Sequence, residues 1–320
     1  MSTPRISIVV CVYNRQDFIG RCLTSILRQN MDAYELIVVD DGSTDATASI
    51  VTSFTDSRVR LIRNGVNRAL SYSRNQGVMQ SHGQIIAFTD SDCIVDSYWL
   101  SELVKPFVTD ADIMIVGGKI IDPVAHTYWE KVNTGMNHVA SASGYVDKII
   151  GCKMAFQRKF LMDNPFDEYL RAAEEWDLCV RCEQQNKKIF YTDKAIVTHH
   201  HRTSLKGSVE QHFRFGHFIG FLKIKHGQFP YFNYGTLILI FIILCFILGM
   251  WINQFYSLAY IFCLFYIGLI AYWNTLGRMR KCWEWIVTYP GQALIFSVFC
   301  IGNLYSPFMY IWDKTFKRKY

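Results

Sequence analysis

An α/β fold, built on a mostly parallel, Rossmann-like sheet with flanking helices, is predicted for residues 1–204 of this 320-residue chain. Short β-branched runs alternate with helical stripes at the spacing of strand–helix–strand units. Two of those runs end in acidic clusters, where parallel sheets collect their ligands. A third observation separates the rest of the chain. Charge is mixed through the first part, whereas 235–312 is overwhelmingly apolar and aromatic, the pattern of C-terminal transmembrane helices.

Ile6, Ile8, Val9, Val10 and Val12 make residues 6–12 a buried strand that ends in a loop at Tyr13 and Asn14. Residues 17–28 carry a helical stripe of Phe18, Ile19, Cys22, Leu23, Ile26 and Leu27. A strand at 35–39 runs into Asp40 and Asp41. A helix over 46–54 follows, with Ser43, Thr44 or Asp45 as its N-cap. A strand at 59–62, a helix at 69–81 and a strand at 84–89 complete the series, and the last of these ends at Asp90, Ser91 and Asp92.

The net charge of +6 is spread along the chain and concentrated beside the apolar spans, so it reads as membrane-flanking charge and not as a nucleic-acid surface. The ten cysteines follow no framework spacing, and Cys179 with Cys182 falls in a helical pattern. Reduced, structural cysteines in a cytoplasmic domain are expected. No leader pattern precedes Ile6, which agrees with that side of the membrane.

A single aspartate at a strand end can merely cap the next helix. Asp90 and Asp92 are different, because alternation on an extended segment sends both carboxylates to one side. Two such groups hold a hard divalent cation whose remaining ligands are diphosphate oxygens and water. That suits departure of a nucleoside diphosphate, since the cation neutralises the developing charge.

Ser7 to Asn14, Leu36 to Asp45, Arg74 to Gly77 and Phe88 to Asp92 resemble, in order and spacing over about 200 residues, the successive blocks of the family 2 glycosyltransferases. The resemblance implies a GT-A fold and an inverting transferase that takes a nucleotide-sugar donor and a divalent metal, Mn or Mg. Carried over by position, Val12, Tyr13 and Asn14 contact the nucleoside, Asp40 bonds the nucleobase, and Asp41 lies nearby. Asp90, beside Ser91, faces the ribose or metal, and Asp92 is the principal metal ligand. Arg74 reaches the donor or, equally, sits in a salt bridge.

In the second half, residues 151–158, with Cys152, resemble the family's acceptor-side strand and following helix. Where the family usually shows Glu-Asp-x-Asp-Leu, this chain has Glu174, Glu175, Trp176 and Asp177. An inverting transfer needs a carboxylate to take the acceptor's proton. By position that base is Glu175, one methylene longer than the usual Asp, with Glu174 and Asp177 as alternatives. A strand at 191–198 leads to His199, His200 and His201, and the resemblance places a histidine near the metal, for which His201 is preferred over His199. Gln211 and Arg214 nearly reproduce the Gln-x-x-Arg-Trp of processive synthases, with Phe215 in place of Trp. The same stretch, 205–234, reads as an amphipathic segment at the membrane interface.

Spans are expected at 235–252 and 255–273, with Lys223, Lys225, Arg278 and Arg280 placing both ends inside. A third apolar stretch, 285–312, contains Pro290 and Pro307 and crosses once, twice or not fully, before a basic tail at 313–320. An integral membrane protein with a cytoplasmic catalytic domain follows, contacting membrane lipid and adding one sugar to a lipid-linked or glycan acceptor in cell-surface glycan synthesis. Two other readings remain. A sugar-phosphate nucleotidyltransferase needs a glycine-rich loop that residues 12–16 lack, and a non-catalytic membrane scaffold with a relict pocket has Glu175 as its only support.

Overall fold

The computed structural model describes residues 6–134 and 142–227, with positions 294, 297–299, 301, 305, 306 and 309. Its contacts divide the chain into two units, Met1–Pro123 with Asn137–His200, and Val124–Met136 with His201–Tyr320. The division falls at His200 and takes 124–136 out of the first unit, where the sequence reading placed one boundary at 204.

The elements run β1 (Ile6–Val12), α1 (Ile19–Leu27), β2 (Tyr34–Asp40), α2 (Thr47–Thr52), β3 (Val59–Arg63), α3 (Leu70–Met79), β4 (Ile85–Asp90), β5 (Cys93–Val95), α4 (Trp99–Thr109) and β6 (Ile113–Ile121). They continue with α5 (Tyr128–Asn133), β7 (Gly144–Tyr145), β8 (Lys153–Gln157), α6 (Arg158–Asp163), α7 (Glu174–Gln184), β9 (Lys188–His199) and α8 (Leu205–Lys225). The first six alternate as the sequence predicted. The expected cap of α2 differs: Ala46 stands at the N-cap without a side-chain bond, and Asp45 Oδ1 accepts from the Thr47 amide at 3.0 Å instead.

In the first unit the sheet order is β3-β2-β1-β4-β8-β6-β9-β5, with β7 also on β9. The β3-β2-β1-β4 half is parallel. β8 enters antiparallel between β4 and β6, β6 and β9 are parallel, and β5 and β7 run against β9. The sheet is therefore mixed and not mostly parallel. The alternation rule reads direction from crossover helices. It loses its hold after β6, because α5 belongs to the other unit and, among the described residues, no helix of the first unit connects β6 to β8.

Period two in β1 feeds both faces. Ile6, Ile8, Val10 and Val12 join Leu23, Ile26, Trp99 and Leu103 in one apolar cluster, while Val9 joins Ile37, Phe88, Phe156 and Leu178 in the other. A strand covered on both sides favours apolar residues on both faces, and the one polar residue in the run, Ser7, is buried with its hydroxyl bonded to Glu35 and the Gly83 amide. The register sets Val12 beside Asp40 and Cys11 beside Asp90. Both acidic strand ends thus flank the carboxyl end of β1.

In the second unit α5 opens with a capping box, in which the Thr127 side chain and Glu130 bond each other's backbone. Asn133 Nδ2 on α5 bonds Ser208 Oγ on α8 at 3.0 Å. The spans expected at 235–252 and 255–273, most of 285–312, and the basic tail lie outside the described residues. The expected integral membrane protein with a cytoplasmic catalytic domain is corrected: among the described residues no helix is long and apolar enough to cross a membrane. α8 is long enough, yet Lys206, Glu210, Arg214, Lys223 and Lys225 break its apolar character.

Gly77 in α3 faces Val9 of the central strand, and a Cβ there would lie well inside van der Waals contact of the Val9 side chain, 3.2 Å from its Cγ2 and closer to Cγ1. Gly77→Ala is expected to destabilise the unit by about 1–3 kcal/mol through overpacking. Combining it with Val9→Ala should cost less than the sum of the two single changes in a urea-unfolding cycle.

Candidate active site

The loops after β1 and β2 are stitched together by side chains. Ser43 Oγ accepts from the Asn14 amide at 2.9 Å, Thr47 Oγ1 from the Arg15 amide at 2.9 Å, and Asn14 Oδ1 from the Thr44 amide at 2.9 Å. Asn14 has a φ of 49°, a left-handed conformation that Asn tolerates better than most residues. Val12 is buried below the loop while Tyr13 is exposed, so of the expected nucleoside-contacting trio only Tyr13 offers a free ring.

Asp40 and Asp41 are both buried. Asp40 accepts from the Ser43 amide at 3.0 Å and pairs with Arg63 at 3.0 Å. Asp41 accepts from Asn64 at 2.8 Å, from the Arg68 amide at 3.0 Å and from the Ala69 amide at 2.9 Å. Both carboxylates brace the loops that rim the strand ends. Apart from the Ser43 amide, such bracing was not legible in the sequence, because its partners lie over twenty residues away.

The centre of the site is Arg74. It is buried on α3, pairs with Glu174, and lies 3.5 Å from Asp90 Oδ1. Its guanidinium sits 5.8 Å from the Phe88 ring centroid and 5.4 Å from that of Phe166. Burial works against its charge, but Glu174 and Asp90 outweigh that and hold the guanidinium above its ordinary pKa. Asp90 is pushed up to about 6 by burial and by the carboxylates of Asp92 and Glu174, against the pull of Arg74.

Asp92 points elsewhere. β4 ends at Asp90 and Asp92 lies in the turn before β5, so strand alternation does not align the two carboxylates. Asp92 Oδ2 stands 3.8 Å from Arg15 Nε, and its Oδ1 stands 3.7 Å from His199 Nε2. Asp92, Cys93 and His199 each bring one donor atom within 4.8 Å of the others. Those residues fit a cation. Asp90, expected as a second ligand, lies 3.5 Å from Arg74 and is not among these three residues. His199 takes the place next to Asp92 that the sequence reading gave to His201, and His201 falls in the second unit. The missed signal was register: β9 continues through His199, directly opposite Cys93 of β5. Ser91 is buried between the two aspartates.

In the second half of the chain α7 begins at Glu174, after Ala173 with a φ of 59°. Glu174 turns to Arg74, and Glu175 Oε1 accepts from the Gly151 amide at 3.1 Å. Burial and the neighbouring Glu174 raise Glu175 to about 7, with Arg74 and the Gly151 amide opposing. Asp177 is fully buried and bridges Arg181 at 2.8 Å, one turn along the helix. Trp176 carries Lys148 over its ring at 5.1 Å. Cys152 is buried with a φ of 66°, and its thiol interacts with that of Cys93. Gln211 and Arg214 lie on α8 in the second unit.

Lys153 escaped the sequence reading. It is almost wholly buried, its Nζ is 3.5 Å from the Ile150 carbonyl, and burial lowers its pKa despite the nearby charges of Glu175 and Asp90. A lysine inside an apolar strand pattern is the signal that was available.

Residues 7–164 match the family model described as Glycosyl transferase family 2. The putative glycosyltransferase EpsH of Bacillus subtilis is 33% identical over 142 residues, 41% of each chain. The glucosyl-dolichyl phosphate glucuronosyltransferase of Haloferax volcanii is 27% identical over 217 residues, 61% of this chain and 69% of that one. The chain thus spans less than half the length of the Bacillus relative. Among solved structures, the mannosyltransferase PcManGT of Pyrobaculum calidifontis, in complex with GDP-Man and Mn2+, superposes with a TM-score of 0.64 at 16% identity, over 94% of this chain and 87% of that one. TarS of S. aureus in complex with UDP-GlcNAc gives 0.54 at 20% identity over 66% and 64%. The structural likenesses support a mixed α/β, GT-A-like fold, and the sequence matches support glycosyltransferase activity.

Removing one partner of a buried ion pair strands the other's charge. Arg74→Met is expected to destabilise the protein by about 3–5 kcal/mol, measured by chemical unfolding. The double change Arg74→Met with Glu174→Leu should be milder than Arg74→Met alone.

Proposed function

We propose that this chain is an inverting, metal-dependent glycosyltransferase that moves one sugar from a nucleotide-sugar donor to a glycan or lipid-linked acceptor. One observation carries the reading. The donor-side Asp90 and the acceptor-side Glu174 meet on a single buried guanidinium, with Asp92 and Glu175 each next in sequence or one residue beyond. The two halves of a transfer reaction are thereby held in one electrostatic unit. The supporting comparisons are the family 2 model, the nucleotide sugars and Mn2+ bound by the structural neighbours, and the dolichyl-phosphate substrate named for the Haloferax relative.

Glu175 is the base. Its carboxylate takes the proton of the acceptor hydroxyl while that oxygen attacks the anomeric carbon from the face opposite the diphosphate. The new glycosidic bond forms as the bond from the anomeric carbon to the phosphate oxygen breaks, and the electron pair leaves with the nucleoside diphosphate. A cation held by Asp92 and His199, when bound, neutralises charge on the departing diphosphate. Arg74 fixes Asp90 and Glu174, and Tyr13 offers its exposed ring to the nucleoside.

A base is most effective when its pKa lies near the working pH. With Glu175 at about 7, the ionised fraction falls as pH drops below that value. Transfer is expected to decline about tenfold per pH unit on the acid side and to level off above it. Glu175→Gln should remove this dependence and lower the rate by about 10²–10⁴-fold while donor binding persists.

Donor class is read by thermal stabilisation with UDP-, GDP- and dTDP-sugars in the presence of manganese, because a ligand bound only by the folded state raises stability with its affinity. At least one donor should stabilise the wild type in a manganese-dependent way, and Asp92→Asn should abolish that dependence. A flat response to every donor overturns the reading.

A further inference from the structure

Cys93 stands in an unusual place for a buried thiol. β5 and β9 are antiparallel, and Cys93 pairs directly with His199. Side chains of directly opposed residues project from the same face, with Cβ atoms about 4.5–5.5 Å apart. Asp92 immediately precedes that pair and its Oδ1 already lies 3.7 Å from His199 Nε2. One sulfur, one imidazole nitrogen and one carboxylate oxygen therefore converge within 4.8 Å. Cys93 is buried, while Asp92 and His199 are each partly open to solvent at 16% side-chain exposure. The sulfur forms the floor of the cluster and the other two donors form its mouth.

We propose that Cys93 is the third donor of this cluster, making it a mixed N, O and S site that takes zinc-class cations in preference to manganese and magnesium and so makes transfer sensitive to inhibition by zinc. The inference rests on the reading of Asp92 as a metal ligand.

Oxygen and imidazole donors alone accommodate Mn and Mg, which keep several waters for diphosphate oxygens to replace. A thiolate shifts the preference toward softer cations, and zinc with three protein donors of this kind is held four-coordinate. As the sulfur–metal bond forms, the thiol proton passes to the buffer and bound waters leave the cation. Two neighbours shape the site. The Cys152 thiol interacts with Cys93 from the β8 side, and Arg15 stands 3.8 Å from the second Asp92 oxygen. Arg15 thus faces the Asp92 oxygen that does not face His199.

The test uses the purified full chain with Co2+ and Zn2+ as probes. One equivalent of Co2+ should produce a sulfur-to-cobalt charge-transfer band in the near ultraviolet, retained in Cys152→Ala and lost in Cys93→Ser. X-ray absorption on the wild type with one equivalent of Zn2+ needs no variant, and should show a sulfur neighbour at about 2.3 Å. Zinc should inhibit transfer in the wild type and do so at least about tenfold less effectively in Cys93→Ser. A zinc shell of nitrogen and oxygen only, or a charge-transfer band that survives in Cys93→Ser, overturns the proposal. Manganese-dependent donor binding judges the Asp92 reading separately: if it persists while no sulfur contact is seen, only the role of Cys93 falls.

Discussion

The site depends on the charge of one buried side chain. A guanidinium cannot shed its proton at any ordinary pH, so an arginine placed among apolar strands must be surrounded by carboxylates and by rings that tolerate it. Arg74 obtains these from three separate stretches of chain: Asp90 at the end of β4, Glu174 at the start of α7, and the faces of Phe88 and Phe166. Glu174 carries the ion pair with Arg74, while Glu175 beside it accepts from the Gly151 amide. Burial is the largest cause of the upward displacement of Glu175, the charge of Glu174 adds to it, and Arg74 opposes it. Two adjacent glutamates thus meet different surroundings at the start of one helix.

The first half of the fold was legible because its rules are local. β-branched runs with both faces buried read as strands from composition alone, and the helices between them fixed direction and order through β4. The mixed second half was not legible, since a strand's direction there depends on partners far along the chain. The same limit explains the site residues. Asp40 and Asp41 look like ligands in the sequence because they end a strand. Their contacts within the chain, with Arg63, Asn64 and the amides of Arg68 and Ala69, follow from loops that only the folded chain brings close.

Strand alternation misled at Asp90 and Asp92 for a definite reason. It holds only while the backbone stays extended, and β4 stops at Asp90. The turn sends one carboxylate toward Arg74 and the other toward Arg15 and His199 of β9. Of three consecutive histidines, the one still inside the strand is the one whose orientation is set by a cross-strand partner. Glu175, by contrast, was singled out by its place relative to a motif, and its burial and raised pKa became visible only in the fold.

The antiparallel entry of β8 between β4 and β6 also bears on how the protein is made. β6 leaves the ribosome before β8 yet lies beyond it in the sheet, so the growing chain holds a gap whose walls are the unsatisfied edges of two strands. An open, apolar strand edge attracts other chains as readily as its own. The late segment therefore fills that gap and brings Gly151, just before β8, to its bond with Glu175, while the other edge of β6 waits for β9. One insertion thus covers an edge of each neighbouring strand and supplies the Glu175 carboxylate with its amide donor.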